Sequence, residues 1–418
     1  MGRTVALEGR TLDWARGVFG RYYEGQPVEP PPRFARREFA AFPFRTETLM
    51  RRHASFKSGE EFRAFLVREV PRHVYYSSAY YRVPDHPKMV DKGWLGADLI
   101  FDLDADHLRG SASVGYAAQL DLVKQRTREL IDDFLLRDFG VSEEGIQLVF
   151  SGGRGYHVHV RDEAFQALTS PERRELVEYV MGVGFDPATA VDDRREDPNT
   201  PVTLEGDPAE ATPPGKGRAV RSYKRLYPTD APGWKGRMTR SVVRLLARWE
   251  AEGATVAAAE MEAAGLSAPA ARRLARLLLE EGKAATIRST LSLEVFKAGV
   301  PEEFLRVVLG QAAIEVQGET DAPVTTDIHR LIRLPGSLHG GTGLKVVPLE
   351  RANLDRFDPL RDAVLASPDG ESAEVELTES VEVAVGGSEV RGTTGDVRRL
   401  PTPVALFLVL RGQATLRP

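Results

Sequence analysis

The chain has 418 residues, a net charge of −5, 42% apolar and 28% charged residues, and no cysteine. That length allows two or three domains and that balance is the one expected of a soluble globular protein; no run reaches the roughly 18 apolar residues of a membrane helix and no apolar signal core follows Met1, so a cytoplasmic protein is expected. Without cysteine there are no disulfides, thiolate zinc sites, Cys-ligated iron–sulfur clusters or Cys nucleophile, and any metal must be held by Asp, Glu, His or ligand oxygens.

In chain order, helical spacing over residues 4–24 predicts a first helix, broken by the prolines between Pro27 and Pro32. Strands are expected over Arg36–Phe42 and Leu49–His53, and a helix over 58–70 with Ser58 as its cap. After the Tyr-rich segment Val74–Tyr81 comes an acidic strand, Ala97-Asp-Leu-Ile-Phe-Asp-Leu-Asp-Ala-Asp106, and then a long helix over about 116–138. Ile146–Phe150 and Tyr156–Val160 read as strands joined by Gly152-Gly153-Arg154-Gly155, and Pro171–Met181 as a helix. From Asp192 to Gly236 Pro, Gly and Asp dominate, so a basic, mobile linker is expected. Residues 238–310 read as a small helical insertion; beyond Leu349 the chain turns acidic and ends in an expected strand, Val404–Leu410. The domain boundaries expected are a discontinuous catalytic domain over 1–195 and 311–350, a linker over 196–237, an insertion over 238–310, and an acidic C-terminal extension with strands over 351–418.

All eight histidines fall in two windows, His53 to His159 and His329 to His339, which is where chemistry is expected to concentrate. Strand alternation puts Asp102 and Asp104 on one face and Leu99, Phe101 and Leu103 on the other. Two adjacent carboxylates suit a hard cation such as Mg²⁺ or Mn²⁺, but taken alone they read first as a strand end running into an acidic turn. The turn after Ser151 lets backbone amides approach a phosphate, with Arg154 adding a fork of donors; alone it reads first as a glycine hairpin. By the same alternation His157 and His159 share a face. A third segment, Asp321 to Gly343, joins an acid, a basic stretch and a Pro335-Gly336-Ser337 turn that reaches His339.

In this order the three segments resemble the small, catalytic subunit of the archaeal and eukaryotic type of DNA primase, the archaeal branch above all. The resemblance runs from about residue 10 to residue 350. It is densest in Phe101-Asp102-Leu103-Asp104, in Ser151-Gly152-Gly153-Arg154-Gly155-Tyr156-His157 and in Asp321 to His339. It implies a mixed α/β fold with two sheets flanking the active-site cleft and a small helical insertion. It implies that Asp102, Asp104 and Asp321 are catalytic metal ligands, Asp327 being the rival to Asp321. Ser151, Gly152, Arg154 and His157 then contact the triphosphate, Arg333 and His339 are further phosphate contacts, and Ser337 and Arg52 are weaker members of the same set. The activity implied is DNA-dependent synthesis of short RNA primers, or DNA primers, on single-stranded DNA from nucleoside triphosphates by two-metal nucleotidyl transfer, a replication function of the primosome. The partner implied is a larger regulatory subunit carrying an iron–sulfur cluster. Many relatives carry a zinc knuckle near the catalytic strand, but His107–Val123 holds no Cys and one His, so no zinc is expected. The rival readings are a gap-filling repair polymerase of the same superfamily and a non-catalytic nucleic-acid-binding subunit.

Overall fold

The computed structural model describes residues 7–44, 49–108, 111–196, 221–297, 299–366 and 370–417. The chain forms two compact units. The first comprises 1–136, 140–181 and 319–418, and the second 137–139 and 182–318.

Two four-stranded antiparallel sheets build the first unit. One has the order Leu331–Arg333, His73–Ser77, Phe39–Phe42, Arg51–Ala54; the other has the order Val347–Leu349, Ile146–Phe150, Gly155–Val160, Leu99–Asp104. The fold is thus mixed α/β, with the expected pair of sheets. In the second sheet Asp102 lies opposite His157, Asp104 opposite Gly155, and Ile100 opposite His159. Since directly opposed residues point the same way, these share one face, while Leu99, Phe101, Leu103, Tyr156 and Val158 take the other. That other face is buried and is covered by the helix Tyr116–Glu129, which continues in wider turns to Leu136.

The face bearing the acids looks toward the first sheet. Ile100 joins Phe39, Val74, Tyr76 and Ile332 in one core cluster, and the Tyr76 and His159 rings stack with centroids 6.2 Å apart. The sheets therefore close on each other at Ile100 and His159, and Asp102 and Asp104, farther along the strand, stay partly exposed. Around this core lie the helices Gly9–Gly25, Gly59–Glu69 and Ser170–Met181. Ser58 caps the second as expected, its hydroxyl accepting from the Glu61 amide at 3.2 Å.

One buried ion pair fastens the start of both sheets. Arg37, just before Phe39–Phe42, sets Nη2 2.7 Å from Oδ2 of Asp98, just before Leu99–Asp104, with both side chains fully buried. The remaining guanidinium hydrogens go to the carbonyls of Ser77 at 2.7 Å, Ser78 at 3.0 Å and Pro32 at 2.9 Å and to the Tyr80 hydroxyl at 2.8 Å. The other Asp98 oxygen accepts from Tyr80 at 2.5 Å.

Two expectations change. Val404–Leu410 is the body of a helix, Thr402–Leu410, not a strand. All nine of its residues are buried, so the sequence is apolar on every side and has no periodicity to distinguish the two; Pro403 in the first turn fits a helix start. Regular structure also does not stop at Asp192: Val191–Glu196 pairs with Arg221–Leu226 and a helix starts at Gly233. Residues 197–220, most of the expected linker, lie outside the described residues.

The second unit is otherwise helical. Gly233–Glu252 buries Met238, Val242, Leu245, Leu246 and Trp249, and the shorter helices Ala254–Ala263, Ala268–Ala275, Lys283–Thr290 and Leu309–Val316 complete it. In the first unit the C-terminal extension adds the three-stranded sheet Val397–Pro401, Ser372–Leu377, Ala414–Leu416 and the hairpin Val381–Val385 with Ser388–Gly392.

Removing one member of the buried pair strands the other charge. Asp98→Ala is expected to cost about 3–5 kcal/mol of unfolding free energy, read by denaturant titration. A loss below about 1 kcal/mol, the range of a surface pair, would show that Arg37 and Asp98 do not hold the sheets.

Candidate active site

The three acidic side chains converge at the open end of the inter-sheet face. Asp102 and Asp104 come from one strand. Asp321 is brought beside them by backbone bonding: its amide donates to the Asp102 carbonyl at 2.9 Å, and the Thr320 hydroxyl donates to the same oxygen at 3.2 Å. Asp321 then opens the short helix Ala322–Thr326, with Pro323 in its first turn. Burial raises the pKa of Asp102 to about 7, and the negative charges of Asp104 and Asp321 push it the same way. These three carboxylates form a hard, all-oxygen donor set whose mutual repulsion Arg330 and Arg333 offset only in part, which fits a hard divalent cation. Among the described residues no three His, Asp or Glu side chains stand so as to hold a metal ion by themselves. Asp327, the rival acid, caps its own turn instead, accepting from the His329 amide at 2.8 Å.

Against the carboxylates lies the turn Ser151–Gly155. It is closed by the Ser151 amide donating to the Gly155 carbonyl at 2.9 Å, and the Ser151 hydroxyl accepts from the Gly153 amide at 3.3 Å. Gly152 has φ +76°, and a Cβ there would lie 2.7 Å from the Cβ of His339. A Cβ on Gly153 would lie 3.2 Å from His339 Nε2. Glycine is therefore what lets the His339 loop close down on this turn. Among the described residues the amides of Gly152 and Arg154 donate to no protein acceptor. Arg154 pairs with Asp106 and stands 3.9 Å from Asp104 Oδ1.

The histidines here are neutral. His157 Nε2 is 3.7 Å from Asp102 Oδ1, yet burial, with Arg333 and Arg330 nearby, lowers its pKa to about 3. His339 is held well below its ordinary value by burial and then by Arg333. Its Nδ1 accepts from the Gly341 amide at 3.2 Å, which leaves the ring proton on Nε2 as a donor toward the glycine turn. Arg333, at the edge of the first sheet, donates to His73 Nδ1 at 2.6 Å, and the His73 ring meets that of His339 edge-on at 5.4 Å.

Asp102, Asp104, Asp321, Ser151, Gly152, Arg154, His157, Arg333 and His339 thus form one neighbourhood. Ser337 and Arg52 do not project into it. Ser337 is fully buried and its hydroxyl donates to the Leu334 carbonyl at 2.7 Å, a turn-closing role. Arg52 sits on the strand at the opposite edge of the first sheet from Arg333, with Nε and Nη2 on the two Glu38 oxygens at 3.0 and 3.3 Å.

Three further residues stand at the site. His73 supports Arg333 and also accepts from the Gly340 amide at 3.3 Å. Asp106 holds Arg154, and His107 Nε2 lies 3.9 Å from Asp321 Oδ2. Of these, Asp106 and His107 adjoin the acidic strand, whereas His73 has no signal beyond its place in the first histidine window.

A family model described as DNA primase small subunit matches residues 101–351, a span that holds every residue of this neighbourhood except His73. Proteins named DNA primase small subunit PriS are similar to the chain over nearly its whole length. That of Methanocella arvoryzae is 39% identical over 99% of this chain and 100% of its own. That of Methanothrix thermoacetophila is 37% identical over 98% and 99%, and that of Haloarcula marismortui 38% over 98% and 99%. The chain belongs to the DNA primase small subunit family.

His159, directly behind His157 on the same face, is fully buried with neither ring nitrogen hydrogen-bonded. Burial holds it well below the ordinary 6.5. The unfolded chain binds a proton below about 6.5 that the folded chain refuses, so stability falls as the pH drops through that value. His159→Leu removes this dependence. The loss of stability between pH 6.5 and 5 should shrink by about 2 kcal/mol, measured by urea titration at both pH values; an unchanged loss would show that His159 takes up its proton in the folded state.

Proposed function

We propose that the chain is the catalytic subunit of a DNA primase, synthesising short RNA primers on a single-stranded DNA template by two-metal nucleotidyl transfer. The observation that carries the reading is the approach of Asp102, Asp104 and Asp321 to a glycine turn whose Gly152 and Arg154 amides are uncommitted. Negative charge on one side and free donors on the other are what a metal–triphosphate complex needs.

Asp102, Asp104 and Asp321 hold Mg²⁺ or Mn²⁺. Such ions supply activation of the attacking 3′-hydroxyl and offset charge on the triphosphate and leaving pyrophosphate. Mg²⁺ at phosphoryl-transfer sites takes one or two carboxylates plus substrate phosphates and waters, so an open protein donor set is compatible with this role. The free amides and the neutral His339 Nε2–H donate to the phosphate oxygens. Arg154, paired with Asp106 in the free chain, exchanges that carboxylate for phosphate, a bidentate acceptor of higher charge. His157 and Arg333 complete the donor wall.

The cofactor is Mg²⁺ or Mn²⁺, with no zinc. The partner is a larger regulatory subunit that carries an iron–sulfur cluster, which this cysteine-free chain cannot ligate itself. The compartment is the cytoplasm; among the described residues no helix is long and apolar enough to cross a membrane.

Labelled ribonucleotide incorporation on unprimed single-stranded DNA with Mn²⁺ tests the reading. Asp104→Ala is expected to lose about 10²–10³-fold or more of the wild-type rate. Equal product from both proteins would remove Asp104 from the chemistry, and extension of a supplied primer without synthesis on bare template would favour a gap-filling polymerase.

A further inference from the structure

The C-terminal extension lies beyond the matched span, which ends at residue 351, and it carries no recognisable chemical motif. Its helix Thr402–Leu410 nevertheless reaches both loops of the site. Leu406 and Leu410 belong to the core shared by the first sheet. They press on Gly343, in the loop that carries His339: a Cβ on Gly343 would lie 2.8 Å from Leu406 Cδ2 and 3.3 Å from Leu410 Cδ1.

The same helix end touches the glycine turn through one tyrosine. Tyr116 starts the long helix, and its hydroxyl donates to the Gly153 carbonyl at 2.6 Å. The Arg411 guanidinium carbon stands 4.1 Å from the centroid of the Tyr116 ring, and the Phe407 ring meets it edge-on at 6.0 Å. Arg411 Nε is itself fixed on Gln413 Oε1 at 3.0 Å. Across a trans peptide the carbonyl of one residue and the amide N–H of the next point in opposite directions. A hydroxyl that holds the Gly153 carbonyl therefore turns the Arg154 N–H away from Tyr116, and that N–H is one of the two uncommitted donors of the turn.

We propose that Tyr116 and Arg411 are positioning residues: Arg411, from the C-terminal extension, clamps Tyr116, and Tyr116 fixes the Gly153–Arg154 peptide in the orientation that receives the triphosphate. The inference rests on the nucleotide-binding part of the proposed function. Neither side chain reaches the reacting atoms. Their effect is on triphosphate affinity, through a peptide set before the ligand arrives. The extension is thereby part of the nucleotide site rather than an appended module.

The test uses the full chain and the variants Tyr116→Phe, Arg411→Ala, Arg411→Lys and the double Tyr116→Phe/Arg411→Ala. Binding of the fluorescent triphosphate mant-ATP with Mn²⁺ is measured beside KM and kcat for ATP on poly-dT. Tyr116→Phe, which deletes one oxygen, and Arg411→Ala are each expected to raise Kd and KM about tenfold with kcat within about twofold. The double variant should be no worse than either single one, because both act through one peptide. Arg411→Lys, which keeps a cation over the ring, should recover most of the loss. Unchanged Kd and KM, a lowered melting point alone, a fall in kcat alone, additive losses, or wild-type protein that binds no mant-ATP would each overturn the inference. If wild type incorporates nothing but Tyr116→Phe still weakens mant-ATP binding, the polymerising activity fails while the positioning role stands.

Discussion

Arg37 and Asp98 sit where the two sheets begin, 2.7 Å apart and out of contact with water. A pair buried this deeply persists only when its remaining donors and acceptors are met, and here they are, by Ser77, Ser78, Pro32 and Tyr80. Arg173 adds donors to the Ala97 and Asp98 carbonyls at 2.8 and 2.9 Å. The strand Leu99–Asp104 therefore leaves a fixed point, and its alternation carries that fixity four and six residues on, to Asp102 and Asp104. A buried acid thus sets the position of two partly exposed ones.

The free site carries opposed electrostatic stresses. Burial, with repulsion from Asp104 and Asp321 added to it, raises the Asp102 pKa to about 7, and the imidazoles are stripped of their protons by burial and by neighbouring arginines. Arg154 meanwhile is occupied by Asp106. Each of these stresses would be relieved by a cation on the acidic side accompanied by an anion on the basic side. Arrangements of this kind are retained for ligand binding and sit at a stability cost that the surrounding core must offset.

Much of this was legible in the sequence because the site is built on strands. A period of two suffices to put Asp102 beside Asp104 and His157 beside His159, and pairing of their strands then sets Asp102 opposite His157. What was not legible depends on partners far away in the chain. Asp98 and Asp106 look like Asp102 to a reader of spacing, and only Arg37 and Arg154 distinguish them. Arg52 has the right chemistry for phosphate and faces Glu38 instead. Ser337 occupies a loop of the right kind but turns its hydroxyl inward. Val404–Leu410 contains no polar residue from which a period could be measured, and its helical form is decided by burial on all sides.

The bond from the Asp321 amide to the Asp102 carbonyl joins residues 219 positions apart, with the second unit's 182–318 between them. Leu406 and Leu410, deep in the same core, come later still. On a ribosome adding about 5–20 residues each second, Asp102 and Asp104 emerge roughly 10–40 s before the third carboxylate exists. Through that interval the nascent chain has an acidic strand and no site, and an apolar core lacking its last helix. In this order of synthesis the third carboxylate joins the acidic strand late and Leu406 and Leu410 later still, so the neighbourhood is assembled only after most of these residues have been made.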